Sequence, residues 1–285
     1  MAAITETPPV THGSAKKSPM IWMERAWLYA QMYALALAAR IRGKVARGER
    51  AKIGFRQKEL WYRGIADELD WWRNYLLDDP EGRQWQHESQ NPDLPVTDSF
   101  VLEHIARQTE TEIRIIDVGA GPITKIGYTV PGKILRITPV DPLATYYDGL
   151  LRRNGITLPV STIQGDGETL LQQFSARSFD LAYACNALDH SYDPLTVMQN
   201  MIHLVRPGGH VLLRHFRNEA KVGQYHGLHQ WNFDCRNGRF VVWQPNSIID
   251  VGDRFDQQIE ISCSIEDAGI FDDWSECILV SMKVH

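Results

Sequence analysis

A short apolar run that ends in an acidic residue and a glycine turn constrains this chain most. Residues 115–118 are β-branched except for Asp117, and Gly119 and Gly121 follow at once. Such a run is typical of a buried parallel strand that leads into a turn at its carboxyl end. Because glycine has no Cβ, the backbone can turn tightly there and approach a ligand closely. In open α/β sheets, nucleotides bind at this edge.

The residues after Gly121 argue against two common kinds of nucleotide site. Dinucleotide sites have the pattern G-x-G-x-x-G, but Pro122, Ile123 and Thr124 follow Gly121, so the last glycine is missing. The sequence also lacks the glycine-rich loop with Lys-Ser/Thr of a P-loop. The remaining alternatives are another nucleotide site or an ordinary turn between a strand and a helix.

Two acidic residues follow the next predicted strands. Residues 134–140 end at Asp141, about twenty residues after the first turn, which is the interval of one β-α-β unit. A carboxylate there can accept hydrogen bonds from both hydroxyls of a ribose, or it can cap the helix predicted at 143–153. Residues 158–164 end before Asp166, which can accept a hydrogen bond from an adenine amino group or cap a turn.

The rest of the chain continues the alternation of strands and helices. A fourth strand is predicted at 179–184 and a fifth at 210–215, with a helix and the turn 207–209 between them. This alternation predicts a doubly wound parallel sheet of the α/β class.

Taken in order, these segments resemble the motifs of class I S-adenosylmethionine-dependent methyltransferases, in particular the type 11 small-molecule branch. The matching segments are 117–121, 140–142, 165–168, 179–180, 186–190 and 205–209. The resemblance covers residues 98–285. It implies a Rossmann-like, doubly wound, seven-stranded sheet whose last strand is antiparallel.

The resemblance also implies S-adenosyl-L-methionine as the cofactor. It places the methionine part near Asp117, the ribose at Asp141 and the adenine near Asp166. The full set of expected cofactor-binding residues is Asp117, Gly119, Ala120, Gly121, Asp141, Pro142, Asp166, Gly167, Asn186 and Ala187. The sequence departs from the family pattern at Ile123, where the family has a third glycine, and we expect this side chain to tighten the pocket. It departs again at residues 124–132. The family has a full helix at this place, whereas this segment is short and interrupted by glycine.

Charge and cysteine content exclude some classes of protein. The chain has 285 residues and a formal net charge of -5, which argues against nonspecific nucleic-acid binding. The four cysteines lie far apart without C-x-x-C or zinc spacing. We therefore predict free thiols and a cytoplasmic location.

The N-terminal third is predicted to be a helical appendage. We expect a disordered tail at 1–19 and a helical lid or dimerisation region at 20–97, through which the chain forms a homodimer. The uncharged run 26–39 is too short for a membrane span of about 20 residues. The tryptophans of the helix predicted at 57–77 are assigned to the core, whereas Trp85, in a predicted loop, is a candidate to bind substrate.

The region after the fifth strand predicts an insertion at 216–246. Asn237-Gly238 lies between two apolar runs and is a strong hairpin signal, so a hairpin is expected at about 230–244. At the carboxyl edge it would overhang the pocket. Tyr225, Gln230 and Trp231 are therefore candidates to bind substrate.

A hydroxyl acceptor must lose a proton during methyl transfer, and histidine suits that task near neutral pH. His229 is the first candidate for the general base, followed by His190 and His215. The last two, with Asp189, are also a possible divalent metal site. This alternative is not favoured, because no close ligand pair such as H-x-x-x-H is present.

The sequence thus predicts a methyltransferase that modifies an oxygen atom of a small polar acceptor, such as a sugar or glycan precursor. A natural-product ring or an amine is an alternative acceptor. A nicotinamide-dependent Rossmann oxidoreductase and a catalytically silent partner subunit are alternative functions. Fold by itself does not decide between them.

Overall fold

The computed structural model describes residues 19–46, 49–255, 258–268 and 275–285. The predicted tail, apart from its last residue, lies outside these ranges. The helices are α1 Pro19–Val45, α2 Glu49–Leu77, α3 Pro80–Glu88, α4 Ser99–Ala106, α5 Ala144–Arg153, α6 Pro194–Leu204, α7 Glu219–Val222 and α8 Val251–Phe255. The strands are β1 Glu112–Val118, β2 Ile134–Asp141, β3 Ile163–Gln164, β4 Phe179–Cys185, β5 Val205–Phe216, β6 Asn232–Arg236, β7 Arg239–Gln244, β8 Ser247–Asp250, β9 Ile259–Asp267 and β10 Glu276–Val284.

Seven strands form the central sheet in the order β3-β2-β1-β4-β5-β10-β9. Strand β1 pairs in parallel with β2 and β4, and β10 pairs antiparallel with β5 and β9. The predicted Rossmann-like doubly wound sheet with an antiparallel last strand is therefore confirmed. The register sets Asp117 beside Pro139, so β1 and β2 end together and their turns meet at one edge.

The connection from β1 to β2 contains no α-helix between residues 119 and 133, as the glycine-interrupted sequence predicts. Ile123 does not tighten the pocket as we expected. It is fully buried in an apolar cluster with Leu76 and Leu150, away from the cavity wall. Because the chain turns back at Gly121, the β-branched side chain points into the packing between this segment, α2 and α5.

The N-terminal helices are longer than their sequence predicts. Helix α2 begins at Glu49, although its amphipathic pattern becomes clear only at residue 57. The loop predicted around Trp85 is wrong, because this residue lies on α3. Asp79 caps that helix by accepting hydrogen bonds from the amides of Glu81 and Gly82, and Pro80 occupies the first helical position.

The insertion contains more than the predicted hairpin. Strands β6 and β7 are joined at Asn237 and Gly238, which both have positive φ, as the hairpin signal predicts. Strand β8 then pairs with β7 and makes a small three-stranded sheet. Phe233 and Phe240 bury this sheet against the main core.

The prediction of four free thiols is wrong for two of them. Cys235 on β6 and Cys263 on β9 form a disulfide across 28 residues of sequence. Cys185 and Cys277 are free. The partners lie on elements that only tertiary packing brings together, so their spacing in sequence gave no signal.

Within the described ranges, no helix has the length and apolar character that a membrane span needs.

Candidate active site

A cavity of about 850 Å³ lies at the carboxyl edge of the sheet. This size is within the range of pockets that bind small molecules and cofactors. The turns after β1, β2 and β4 form its floor, α2 forms one wall, and residues 226–229 of the insertion form another. All ten predicted cofactor-binding residues line it.

The turn after β1 requires glycine at two positions. Gly119 and Gly121 have φ of +73° and +63°, a region that L side chains rarely adopt. A Cβ on Gly119 would lie 2.4 Å from the Cβ of Ala187, and one on Gly121 would lie 2.7 Å from Cζ2 of Trp72. A side chain at either position would collide with its neighbour, so the backbone of this turn is exposed to the cavity without Cβ atoms at these two positions.

Asp141 joins the ends of two strands. Its Oδ2 accepts a hydrogen bond from the Gly121 amide at 3.0 Å, and its Oδ1 accepts one from the Leu143 amide at 2.7 Å. Burial raises the pKa of this carboxyl group to about 7, against the effect of the two amide hydrogen bonds. Each carboxylate oxygen has a second lone pair, so the group can hold the backbone and still accept from a ligand in the cavity.

Asp117 is also buried, and Oγ1 of Thr124 donates a hydrogen bond to its Oδ2 at 2.6 Å. Burial raises the pKa of Asp117 to about 7. The cavity floor thus has two carboxyl groups that titrate near neutral pH and that become more stable as anions when a cationic or hydroxyl-bearing ligand binds.

Asp166 caps the helical turn that follows it, which is one of the two roles that the sequence predicts for this residue. Its Oδ1 accepts from the Glu168 amide at 3.0 Å, and the hydroxyl of Tyr192 donates to both carboxylate oxygens at 3.1 and 3.3 Å. Gly167 lies beside it on the cavity wall, where a Cβ would be 3.0 Å from Val197. Capping and cavity lining therefore coexist at this residue.

Two of the three candidate histidines line the cavity and contact each other. Nδ1 of His229 lies 2.7 Å from Oδ2 of Asp189 and 3.1 Å from Nε2 of His190. Asp189 has no solvent exposure, and His190 also lies 3.8 Å from Oε2 of Glu68 on α2. These contacts hold the His229 ring at the cavity wall with a buried carboxylate behind it.

The charges of this cluster support each other. Burial lowers the pKa of His190, but the carboxylates of Asp189, Glu68 and Asp141 outweigh that effect, so the pKa is raised. For Asp189, burial raises the pKa, whereas His190 and His229 lower it more, so the pKa is lowered. These shifts favour a protonated His190 beside an ionised Asp189, whose Oδ2 lies 3.6 Å from Nε2 of His190.

His215 is not at the cavity. Its ring is fully buried against Phe233, with ring centroids 4.8 Å apart, and burial lowers its pKa to about 4. Glu219 lies nearby and does line the cavity, and burial raises its pKa well above the usual range.

The four predicted substrate-binding residues lie outside the cavity wall. Trp85 lines a separate shallow pocket beside Glu81 and Lys125. Tyr225 accepts a hydrogen bond from Asn232, Gln230 donates to the Gly227 carbonyl, and the Trp231 indole donates to the Ser191 carbonyl. The last three hold the insertion in place and do not face the cavity.

Residues of α2 were missed as cavity residues. Glu68, Trp71, Trp72 and Tyr75 lie within two turns of this helix and line the wall, and Trp71 stacks on Tyr75 with centroids 5.0 Å apart. The sequence assigned these tryptophans to the core. The neighbouring acidic residue is the signal that separates a polar cavity wall from a core, because the Trp72 indole donates to Glu68.

Helix α2 and the insertion touch above the cavity. At Gly64 a Cβ would lie 2.6 Å from Leu228 and 2.9 Å from the carbonyl oxygen of Gly227. Because only glycine fits this contact, the two elements meet backbone to backbone and close one side of the cavity.

Comparisons with known proteins agree with this geometry. Residues 116–213, which run from the end of β1 into β5, match the Methyltransf_11 family model, a methyltransferase domain. No curated protein matches the sequence significantly. Among solved structures, the CurJ carbon methyltransferase is 14% identical with a TM-score of 0.50, and the match covers 93% of this chain and 71% of that one. The N-methyltransferase NodS from Bradyrhizobium japonicum WM9, in complex with S-adenosyl-L-homocysteine, is 16% identical with a TM-score of 0.44, over 76% of this chain and 97% of that one.

The structural likeness shows the fold alone, and the domain match identifies residues 116–213 as a methyltransferase domain. The predicted S-adenosylmethionine-dependent enzyme is confirmed, and its cofactor is S-adenosyl-L-methionine. The domain match also decides against a nicotinamide-dependent oxidoreductase.

Proposed function

We propose that this class I S-adenosylmethionine-dependent methyltransferase transfers the methyl group to an oxygen atom of a small polar acceptor. The observation that carries the proposal is His229, which lies on the cavity wall with its Nδ1 2.7 Å from the buried carboxylate of Asp189. When Nδ1–H donates to Asp189, the lone pair of the neutral ring is on Nε2. This tautomer is the one that a general base needs.

The reaction needs one proton acceptor and close positioning. The acceptor oxygen attacks the methyl carbon in line with the carbon–sulfur bond, that bond breaks, and S-adenosyl-L-homocysteine leaves as a neutral thioether. His229 takes the hydroxyl proton and becomes an imidazolium stabilised by Asp189. The walls hold donor and acceptor together, which supplies the remaining rate enhancement through proximity.

We place the cofactor along the edge formed by the first three turns. Asp141, beside Pro142, accepts the ribose hydroxyls, and Asp117 receives the methionine ammonium next to the bare backbone 119–121. Asp166 and Gly167 border the adenine. Asn186 and Ala187 lie opposite the glycine turn, where the Asn186 side chain accepts from the Phe216 amide and so keeps its backbone at φ 45°.

A sugar or glycan precursor is the acceptor class that we favour. The wall from α2 offers aromatic surfaces of Trp61, Trp71 and Tyr75, and flat rings stack well on sugar faces. The Asp, Glu, Lys and Arg side chains of the lining are nearly all acidic: Asp67, Glu68, Asp117, Asp141, Asp166, Glu168 and Glu219. Among the described lining residues, Lys125 is the one lysine or arginine, which disfavours acceptors that carry a phosphate.

The proposal is tested by offering the purified chain S-adenosylmethionine with a deuterated methyl group and matched acceptors. The panel contains neutral glycosides, their phosphorylated forms, amines and phenolic rings, and products are read by mass spectrometry. We expect the label on an oxygen atom of a neutral acceptor. Label on nitrogen or carbon alone would overturn the proposal of oxygen methylation. A chain that binds S-adenosyl-L-homocysteine but transfers no label to any acceptor would be a catalytically silent subunit.

We also propose that the chain dimerises through α1. This helix exposes Tyr29, Tyr33, Leu37, Ile41 and Val45, which follow one another at four-residue intervals and form an apolar stripe that winds around the helix, and it exposes Trp27 and Leu35 as well. An exposed stripe of this kind is typical of an interaction surface. We expect the double substitution Leu37→Glu and Ile41→Glu to halve the mass measured by light scattering. Leu171→Glu, at an exposed leucine far from this stripe in sequence, is the control, and a wild-type monomer would refute the dimer.

Cofactor affinity is expected to depend on pH through Asp141. Burial raises its pKa to about 7, and Glu68 contributes to this rise while His190 opposes it. The ribose binds the anion, so affinity should fall by up to about tenfold per pH unit below 7 and level off above it. Asp117, with the same pKa, adds to the slope. Calorimetry with S-adenosyl-L-homocysteine from about pH 5.5 to 8.5 measures this dependence. Asp141→Asn should make the curve less steep and leave the part due to Asp117, and an equally steep curve in that variant would exclude Asp141 as a cause.

A cytoplasmic location stays a prediction. The Cys235–Cys263 disulfide is the observation that argues against it, because disulfides are rare in reducing compartments.

A further inference from the structure

A second polar cluster lies behind the cavity wall. It consists of Asp189 after β4, His215 near the end of β5 and Glu219 at the start of α7. One ligand atom from each residue lies within 4.8 Å of the other two. Asp189 and His215 have no solvent exposure, and Glu219 is 5% exposed.

These buried groups lack hydrogen-bond partners. Oδ1 of Asp189, both ring nitrogens of His215 and Oε2 of Glu219 are buried without a partner. An unsatisfied buried polar group costs about 1–3 kcal/mol, and an unpaired buried charge costs more. The fold therefore contains a set of converging, desolvated electron-pair donors that nothing in the described chain satisfies.

A cation between the three side chains satisfies them together. We propose that Asp189, His215 and Glu219 bind a divalent transition-metal ion. One imidazole and two carboxylates form a donor set that suits Zn²⁺ or Mn²⁺, whereas Ca²⁺ and Mg²⁺ prefer oxygen ligands alone. Bond lengths of about 2.0–2.2 Å require the three atoms to move slightly closer together, which side-chain rotation provides.

The two carboxylate oxygens of Asp189 differ in their partners. Oδ2 lies 2.7 Å from Nδ1 of His229, while Oδ1 is buried without a hydrogen-bond partner and is the oxygen that we assign to the metal. A metal on Oδ1 fixes the carboxylate, and through it the orientation of the His229 ring. Methyl transfer does not need the ion as a reactant, so its role is to position these side chains and to tie α7 and the insertion to the sheet.

The proposal is tested on the 285-residue chain, and the metal titrations contain neither cofactor nor acceptor. The protein is stripped with EDTA, dialysed and titrated with ZnCl₂ and separately with MnCl₂ by calorimetry, and metal content is measured on protein purified without chelator. We expect about one ion per chain and a rise in the unfolding temperature. Glu219→Gln, which keeps the side-chain shape, and His215→Gln should each weaken binding by more than about tenfold.

His210→Gln is the matched control, because this histidine lies on the same strand but outside the cluster, and it should bind metal as the wild type does. Binding of S-adenosyl-L-homocysteine reports whether each variant is folded. If His215→Gln does not fold, Glu219→Gln decides. The proposal is overturned if the wild type binds no ion with one-to-one stoichiometry, or if Glu219→Gln binds it equally well. Because no methyl transfer is measured, this result is independent of the proposed reaction.

Discussion

His229→Ala is expected to slow methyl transfer by about 10²–10⁴-fold, the usual contribution of a general base. The affinity for S-adenosyl-L-homocysteine should not change, since the cofactor residues lie on the other turns of the sheet edge. Single-turnover assays with the best acceptor from the panel measure the chemical step, and calorimetry measures binding.

The exposed His87 on α3 supplies the control, because His87→Ala removes an imidazole that the cavity does not use. A His229→Ala enzyme within about threefold of the wild type would assign the ring to positioning alone. A large loss of cofactor affinity would instead show that the substitution disturbs the wall of the cavity.

Asp141→Ala is expected to weaken cofactor binding by about 1–3 kcal/mol, or roughly 5- to 150-fold, because a buried charged acceptor loses its hydrogen bonds. The same carboxylate holds the amides of Gly121 and Leu143, so part of the loss comes from a looser glycine turn. Calorimetry with S-adenosyl-L-homocysteine measures the total effect, and thermal unfolding without ligand measures the structural part.

Asp148→Ala serves as the comparison, since Asp148 is an exposed aspartate on α5, the helix that follows Asp141. It should leave affinity and unfolding temperature unchanged. If Asp141→Ala lowers the unfolding temperature but keeps the affinity, then Asp141 is a structural cap and another group receives the ribose.

The sheet and the cofactor edge could be predicted from the sequence because their signals are local. Each predicted parallel strand is a short β-branched or apolar run, and glycine or an acidic residue marks the end of the first three at intervals typical of β-α-β units. Gly119, Asp141 and Asp166 are therefore placed by their own neighbours in sequence. The same holds for the hairpin at Asn237.

The rest depends on contacts between distant segments. In the sequence, Glu68 and Trp71 fit an ordinary amphipathic helix, and only the packing of α2 against the glycine turn places them at the cavity. Glu219 belongs to no sequence motif, and only the fold brings it close to Asp189. The disulfide partner of Cys235 is likewise set by packing. The error at Trp85 has a different cause. Asp79 followed by Pro80 is a helix-start signal, and the prediction of a loop at Trp85 did not take it into account.

The contact at Gly64 has a consequence for how this enzyme can diversify. The turns at 117–121, 141–142 and 166–167 form one half of the cavity, and α2 with residues 226–229 forms the other. The two halves come from separate stretches of chain, and α2 meets the insertion at one glycine where backbone contacts backbone. On the proposed assignment of donor and acceptor, mutations in the second half that spare Trp72, which packs against Gly121, can reshape the acceptor space while the donor half keeps its geometry. Acceptor preference and cofactor use are in this way separable traits, and new specificity can be selected without loss of the methyl donor.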